Sequence, residues 1–230
     1  MKKICLLFAL AFCAVLPSFA SLKMDKMDDN KWKWIESADK YQSITFEDGY
    51  MLITAKKEYK HASDYQNMAK TFARIPMRAK DNYKLTIKCI VPNFYKDQYV
   101  ILFNTSKQCL DDEESTGQFD TYALMMNGSN WILNIFKTKN WSDMSASRNV
   151  KGEDGQVYND VLPGKVKNPK DYPMEFVITK SRNTAIIEIN GIQIFKGDCE
   201  LTEPCMGFMV PVGSSLKVDE VIVDQVEEED

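Results

Sequence analysis

One histidine, His61, serves all 230 residues, and no two of the six cysteines stand at CxxC spacing. Each shortage excludes a chemistry. A Ser-His-Asp triad would have to run through His61, which lies in a polar stretch, and no serine sits in a nucleophile-elbow motif. A zinc site needs clustered His and Cys ligands, and His61 has no partner at ligand spacing. Basic charge is short as well: 29 Lys and Arg stand against 33 Asp and Glu, a net of −4, with the signs interspersed. That balance argues against nucleic acid or an anionic membrane as partner. Helical periodicity is scarce, and no apolar run is longer than the one ending at Leu16, so no transmembrane segment is expected.

What the N-terminus does have is a leader. Lys2 and Lys3 precede an apolar run over residues 4–16, and Ser18-Phe19-Ala20 places small residues where a signal peptidase reads. Residues 1–20 therefore read as a secretory signal peptide, which places the mature chain in the periplasm or outside the cell. Phe12 stands before Cys13 where a lipoprotein anchor requires a small residue, which argues against lipidation. Cleavage leaves residues 21–230, with 27 basic against 33 acidic side chains and four cysteines. An even count in an exported chain permits disulfides, in three formal pairings. Proximity favours Cys199 with Cys205 across Glu-Leu-Thr-Glu-Pro; the pairing of Cys89 with Cys109 stays open.

Strand signals recur along the mature chain, and one hairpin can be registered from its letters. Asn190-Gly191 is the pair that a two-residue type I′ turn requires, because both central positions need φ > 0. Ile189 should then oppose Ile192, Glu188 oppose Gln193 and Ile187 oppose Ile194, since opposed residues share a face and successive ones alternate. With Arg182-Asn183 closing the preceding hairpin in the same way, Phe176 opposes Ile189 and Ile178 opposes Ile187. One face is thus apolar, from Met174 through Ile194, while the other carries Glu175, Val177, Thr179, Ile186, Glu188, Gln193 and Phe195. Further strands are expected near residues 43–46, 51–55, 68–75, 83–91, 99–104, 119–126, 131–137, 206–210 and 216–226. Turn chemistry separates them, as at Asp48-Gly49 and Asn127-Gly128. The stretch 138–172, rich in Asn, Asp, Gly, Lys and Pro, reads as a long loop region with one short strand near 156–162. About a dozen short strands without repeat or linker imply an all-β, two-sheet antiparallel sandwich forming a single domain over residues 21–230.

The ordering resembles the concanavalin A-like lectin/glucanase superfamily, the jelly roll that also underlies laminin-G-like modules and the 3-keto-disaccharide hydrolase (DUF1080) domains. The carriers are EDGYMLITA at 47–55, YVILFNTS at 99–106, FDTYALMMNG at 119–128, FVITKSRNTAIIEINGIQIFKG at 176–197, and the closing MGFMV and VDEVIV. The resemblance implies a glycan site, often on the concave sheet of that superfamily, without locating it. Glucanases of the superfamily carry a Glu-x-Asp-x-Glu or Glu-x-Asp-x-x-Glu strand that projects alternate carboxylates to one face. No such string occurs here, so no catalytic residue is assigned. Glu175 and Glu188 share a face but are not directly opposed, and their ordinary role is that of solvated strand carboxylates.

The binding candidates are aromatics with polar companions: Trp141, Tyr122, Trp131 and Tyr99, with Asn104, Asp120, Asn140 and also Glu188; Asn134 is a further companion. Aromatic faces stack on sugar rings while amides and carboxylates fix hydroxyls. Core packing competes with that role for Tyr122 and Trp131. Trp141, between Asn140 and Ser142 in the long loop, is expected to be exposed and to carry any glycan binding. No cofactor is expected; Asp111, Asp112, Glu113 and Glu114 could offer oxygens to Ca²⁺ but lack regular ligand spacing. Three functions fit. A secreted, non-catalytic glycan-binding module with an oligo- or polysaccharide partner leads, ahead of a glycan-processing hydrolase of the 3-keto-disaccharide type and a cell-envelope structural or interaction domain. Nothing in the sequence fixes the oligomeric state.

Overall fold

The computed structural model describes residues 22–57, 68–77, 82–91, 99–110, 119–126, 130–138, 148–149, 159–161, 173–200 and 203–226. Numbering strands along the chain, one sheet runs in the order β14 (Ile192–Asp198), β13 (Thr184–Ile189), β12 (Met174–Ser181), β6 (Asn82–Ile90), β16 (Ser215–Val226), β4 (Tyr50–Ala55), β3 (Gln42–Glu47), β2 (Ser37–Ala38). A ninth strand, β1 (Leu22–Asp25), pairs with β16. The second sheet has seven strands in the order β10 (Arg148–Asn149), β9 (Asn130–Thr138), β8 (Phe119–Met126), β7 (Tyr99–Thr105), β15 (Cys205–Val210), β5 (Ala69–Arg74), with β11 (Asn159–Val161) beside β9. Among the described residues every strand pairing in the two sheets is antiparallel. The expected all-β sandwich is therefore present, and among the described residues no helix is long and apolar enough to cross a membrane. Residues 1–20 lie outside the described residues.

Alternation sends one face of each strand of the nine-stranded sheet into the core. In β6 Tyr83, Leu85, Ile87 and Cys89 are buried while Lys84 is exposed and Thr86 and Lys88 are half-buried; β13 does the same with Ala185, Ile187 and Ile189. The Asn190-Gly191 turn has φ of 50° and 74°, as a type I′ turn needs, and the Asn190 side-chain carbonyl accepts from the Glu175 amide at 2.9 Å. Phe176 opposes Ile189, Ile178 opposes Ile187, and Glu188 opposes Gln193, as the letters implied. One pairing differs: Ile187 opposes Phe195, because a bulge inserts Ile194 into β14. A bulge lets two consecutive residues turn inward, and here it buries both Ile194 and Phe195. Phe195 is thus a core side chain and not part of the outward face.

The seven-stranded sheet is packed on both sides. In β7 every residue is buried. Tyr99, Ile101 and Phe103 join the inter-sheet core, while Val100 and Leu102 enter a second apolar cluster on the outward face with Met68, Phe72, Ala123, Met125, Cys205 and Met209. The 3-10 helix Lys107–Leu110 contributes Cys109 and Leu110 to that cluster. Its strands read as nearly continuous apolar runs for the same reason that doubly covered sheets do.

This arrangement corrects the expected disulfide. Cys199 and Cys205 are not joined; both are buried thiols. The short connection between them crosses from one sheet to the other, so Cys199 belongs to the inter-sheet core and Cys205 to the outward cluster of the seven-stranded sheet. Closeness in sequence therefore places the two sulfurs in different compartments. Cys89 and Cys109 are likewise buried in the two separate clusters and unjoined to each other.

Two glycines serve different ends. Gly191 needs its left-handed φ, and a methyl placed on it would have nothing within 4 Å, whereas a methyl on Gly207 would lie 2.5 Å from Phe72 Cδ1 and 2.7 Å from the Thr71 carbonyl oxygen. Backbone cannot retreat as a side-chain tip can. Gly207→Ala should therefore cost on the order of 2 kcal/mol or more in chemical denaturation, through overpacking. Gly191→Ala should cost about 1 kcal/mol, through backbone strain. Equal costs for the two would contradict this assignment.

Candidate functional site

Three of the sequence-derived candidates are core residues. Asn104 is fully buried at φ 47°, accepting from the Tyr83 hydroxyl at 2.7 Å and donating to the Cys199 sulfur at 3.2 Å. Tyr122 is buried and stacked on Phe103 with ring centroids 5.3 Å apart, and its hydroxyl accepts from the Glu200 amide at 2.9 Å. Tyr99 is buried, and its hydroxyl donates to the Ser215 carbonyl at 3.4 Å. Tyr83, Asn104, Cys199 and Tyr122 thus form one polar cluster joining the two sheets. Burial pushes the Tyr83 phenol well above its ordinary pKa and the Cys199 thiol up to about 11, the latter opposed by Lys180, Tyr122 and Asn104. A thiol held that high carries little thiolate at neutral pH, so the cluster is structural.

The other candidates are scattered. Asp120 is half-buried on β8, where its amide donates to Ser106 Oγ at 3.1 Å. Glu188 is half-buried on the outward face of the nine-stranded sheet, opposite Val177 and Gln193. Trp131 and Asn134 lie on β9, their side chains outside the described residues, as are Trp141, Asn140, His61 and the acidic run 111–114. Among the described residues no group of three or more His, Cys, Asp or Glu is placed to hold a metal ion.

Among the described residues, the outward face of the seven-stranded sheet shows no paired carboxylates. Its described strands contain only Asp120 and Asp160 as acids, and on its outward face Val100, Leu102, Ala123, Met125 and Met209 are buried. Among the described residues a depression lies on the nine-stranded sheet, over β4 and β16. Met51, Ile53 and Ala55 point inward with Leu216 and Val218, so Leu52 and Thr54 point outward with Ser215 and Lys217. The register sets Thr54 opposite Ser215 and Leu52 opposite Lys217. These four floor a depression of about 510 Å³ that Lys56, Lys57, Gly213 and Ser214 wall.

Backbone bonds build the wall. Ala55 and the 211–214 turn exchange two bonds, Ala55 N to Ser214 O at 3.0 Å and Gly213 N to Ala55 O at 2.8 Å, and Ser214 N reaches Pro211 O at 3.0 Å. Gly213 takes φ 77° in that turn, which leaves room for the Lys57 stem. The Lys56 amide donates to the Tyr41 carbonyl at 2.7 Å, and its ammonium donates to the Asp39 carbonyl. Lys217 holds its ammonium 5.5 Å from the centroid of the half-exposed Tyr50 ring, at cation–π range.

Beyond Tyr50 the charge changes sign. A second depression, about 270 Å³, is lined by Lys26, Asp28, Asp48, Gly49, Tyr50, Asp219 and Glu220. Asp219 has its pKa raised, first by burial and then by Glu220, with Lys88 and Lys26 acting against the rise. Glu220 itself forms an ion pair with Lys88. Sequence reasoning missed this surface. The alternation of Tyr50, Leu52 and Thr54 was legible, but its meeting with Lys217, more than 160 residues away, depends on a β4–β16 register that no turn fixes.

No protein-family model matches the chain, and no curated protein matches it in sequence. Solved structures do match in fold. A protein of unknown function with a galectin-like fold from Bacillus subtilis is 15% identical, with 90% of this chain and 96% of that one covered at a TM-score of 0.57. The catalytic domain of an endo-1,3-β-glucanase (laminarinase) from Thermotoga petrophila is 12% identical, with 90% and 100% covered and a TM-score of 0.56. A β-glucanase from Bacillus licheniformis is 8% identical, with 90% and 99% covered, also at 0.56. These likenesses show the fold alone: a two-sheet antiparallel jelly-roll sandwich.

Removing a member of the inter-sheet cluster should be felt as stability. Tyr83→Phe leaves the Asn104 carbonyl buried without its donor, and an unsatisfied buried group costs about 1–3 kcal/mol. Equilibrium urea unfolding should show that loss, with the affinity for any ligand unchanged; lost affinity at unchanged stability would return Asn104 to the set of binding residues.

Proposed function

We propose that the chain is a glycan-binding module without hydrolytic chemistry, and that its site is the β4–β16 depression. The observation that carries this reading is the contrast between the two outward faces. Among the described residues one carries a packed apolar cluster, and the other opens a depression of about 510 Å³ with hydroxyls from Thr54 and Ser215 beside a half-exposed Tyr50. That volume falls in the range of about 300–1,000 Å³ usual for small-ligand sites. Hydroxyl and ammonium groups bond sugar hydroxyls, and an aromatic ring at the margin offers a stacking surface. The solved glucanases of the same fold act on glycans, which supports the ligand class. The reading includes export, given the signal-peptide pattern of residues 1–20.

The second reading, a glycan-processing hydrolase of the 3-keto-disaccharide type, draws on the acid-lined depression, where burial and Glu220 keep Asp219 protonated to higher pH than an ordinary carboxyl. A glycan array on the purified protein, with product analysis on every hit, separates the two. Binding without turnover is expected, weakened at least tenfold by Tyr50→Ala at nearly unchanged melting temperature, and unaffected by Asp219→Asn. Turnover abolished by Asp219→Asn would establish the hydrolase. Loss of binding in Trp141→Ala but not Tyr50→Ala would move the site to the 138–172 stretch.

A further inference from the structure

The β4–β16 depression is cationic as well as hydroxylated. Lys56, Lys57 and Lys217 all line it, and among the described residues no carboxylate does. This concentration is not inherited from composition, since the chain as a whole carries a net charge of −4. Lys56 reaches the backbone carbonyl of an acid, Asp39, so the charge rests mainly on Lys57 and Lys217. The ion pair found among the described residues, Lys88 with Glu220, lies outside the depression. Lys56 donates to a backbone carbonyl and Lys217 faces an aromatic ring. Lys57 is exposed, and its stem packs along Gly213, with Cγ 3.5 Å from where a methyl on that glycine would sit. Ammonium groups gathered in a concave site without an acid raise the local potential and favour an anion there.

Resting on the glycan-binding reading, we infer that the depression selects an acidic saccharide, one whose sugar carries a carboxylate or sulfate group. The ammonium groups bond the oxyanion, which makes the stronger, charge-assisted kind of hydrogen bond. Thr54 and Ser215 bond the ring hydroxyls. The neighbouring depression sets a limit on the charge of the ligand. Asp28, Asp48, Asp219 and Glu220 line it, and Tyr50 stands between the two. A polymer with an anion on every unit, such as a nucleic acid, would run from the lysines into these carboxylates and be repelled. A discrete oxyanion seated on the lysines, with neutral units continuing past Tyr50, meets no such repulsion.

The test is calorimetric titration of the purified protein with oligogalacturonate, oligoalginate and chondroitin sulfate fragments, each beside its methyl-esterified or desulfated form, and with sodium sulfate. At least one acidic oligosaccharide should bind, at least tenfold more tightly than its neutralised form and with affinity falling as salt rises. Lys57→Gln with Lys217→Gln should weaken that binding at least tenfold without shifting the melting temperature, because both side chains are exposed. Equal binding of the acidic and neutralised forms, or binding untouched by the double variant, overturns the inference while leaving the glycan module intact. Sodium sulfate displacing the saccharide with its full affinity would make this an inorganic-anion site and overturn it too. No binding by any form, acidic or neutral, would remove both the inference and the reading beneath it.

Discussion

Burial of both faces of β7 is the constraint from which the placement of function follows. The strand reads Tyr-Val-Ile-Leu-Phe-Asn-Thr, and every residue is buried. Its odd-numbered apolar side chains complete the core between the sheets. Val100 and Leu102 are covered on the far side by Phe72, Met125, Met209 and the 3-10 helix. Each such side chain contributes about 1.5–3 kcal/mol by leaving water. Opening this face as a polar groove would forfeit several of those contributions at once. Among the described residues that face is committed to packing around β7, while the β4–β16 region of the opposite sheet presents polar side chains.

The polar cluster between the sheets answers a second demand of the same packing. Tyr83, Asn104, Cys199 and Tyr122 come from strands and connections on both sheets, and their bonds leave no orphaned donor at Asn104. Burial raises the proton affinity of the phenol and the thiol alike, so neither is poised for chemistry. Tyr99 works differently: its hydroxyl reaches the Ser215 carbonyl from inside, bracing the strand start that floors the depression. Tyr99, Asn104 and Tyr122, which looked like site residues in sequence, are therefore core residues, and Tyr99 reaches the depression only from behind.

Local chemistry made much of the fold legible. Asp48-Gly49 and Asn190-Gly191 announce their turns, because few other residues accept two consecutive positive φ angles, and alternation then assigns faces to β3, β4, β12 and β13. The bulge at Ile194 was not legible, since an adjacent apolar pair such as Ile194-Phe195 fits either a bulge or a strand with a mixed outer face. The site was not legible for a different reason. Aromatics beside amides suggest a pocket, yet the same letters pack cores, and only the second layer over β7 decides between them. Lys56, Lys57 and Lys217 do not stand out in a chain with 29 basic residues until the pairing of β4 with β16 brings them around one depression.

The central claim is positional: ligand meets the outward face of the nine-stranded sheet, at β4 and β16, and not the seven-stranded sheet. Amide chemical-shift mapping of the ¹⁵N-labelled protein during titration with a glycan that binds tests it most directly. Saturable shifts are expected at Leu52, Thr54, Lys56 and Gly213 to Lys217, with Val100 to Phe103 and Tyr122 to Met125 unmoved. Shifts concentrated on β7 and β8, with β4 and the start of β16 silent, would contradict it.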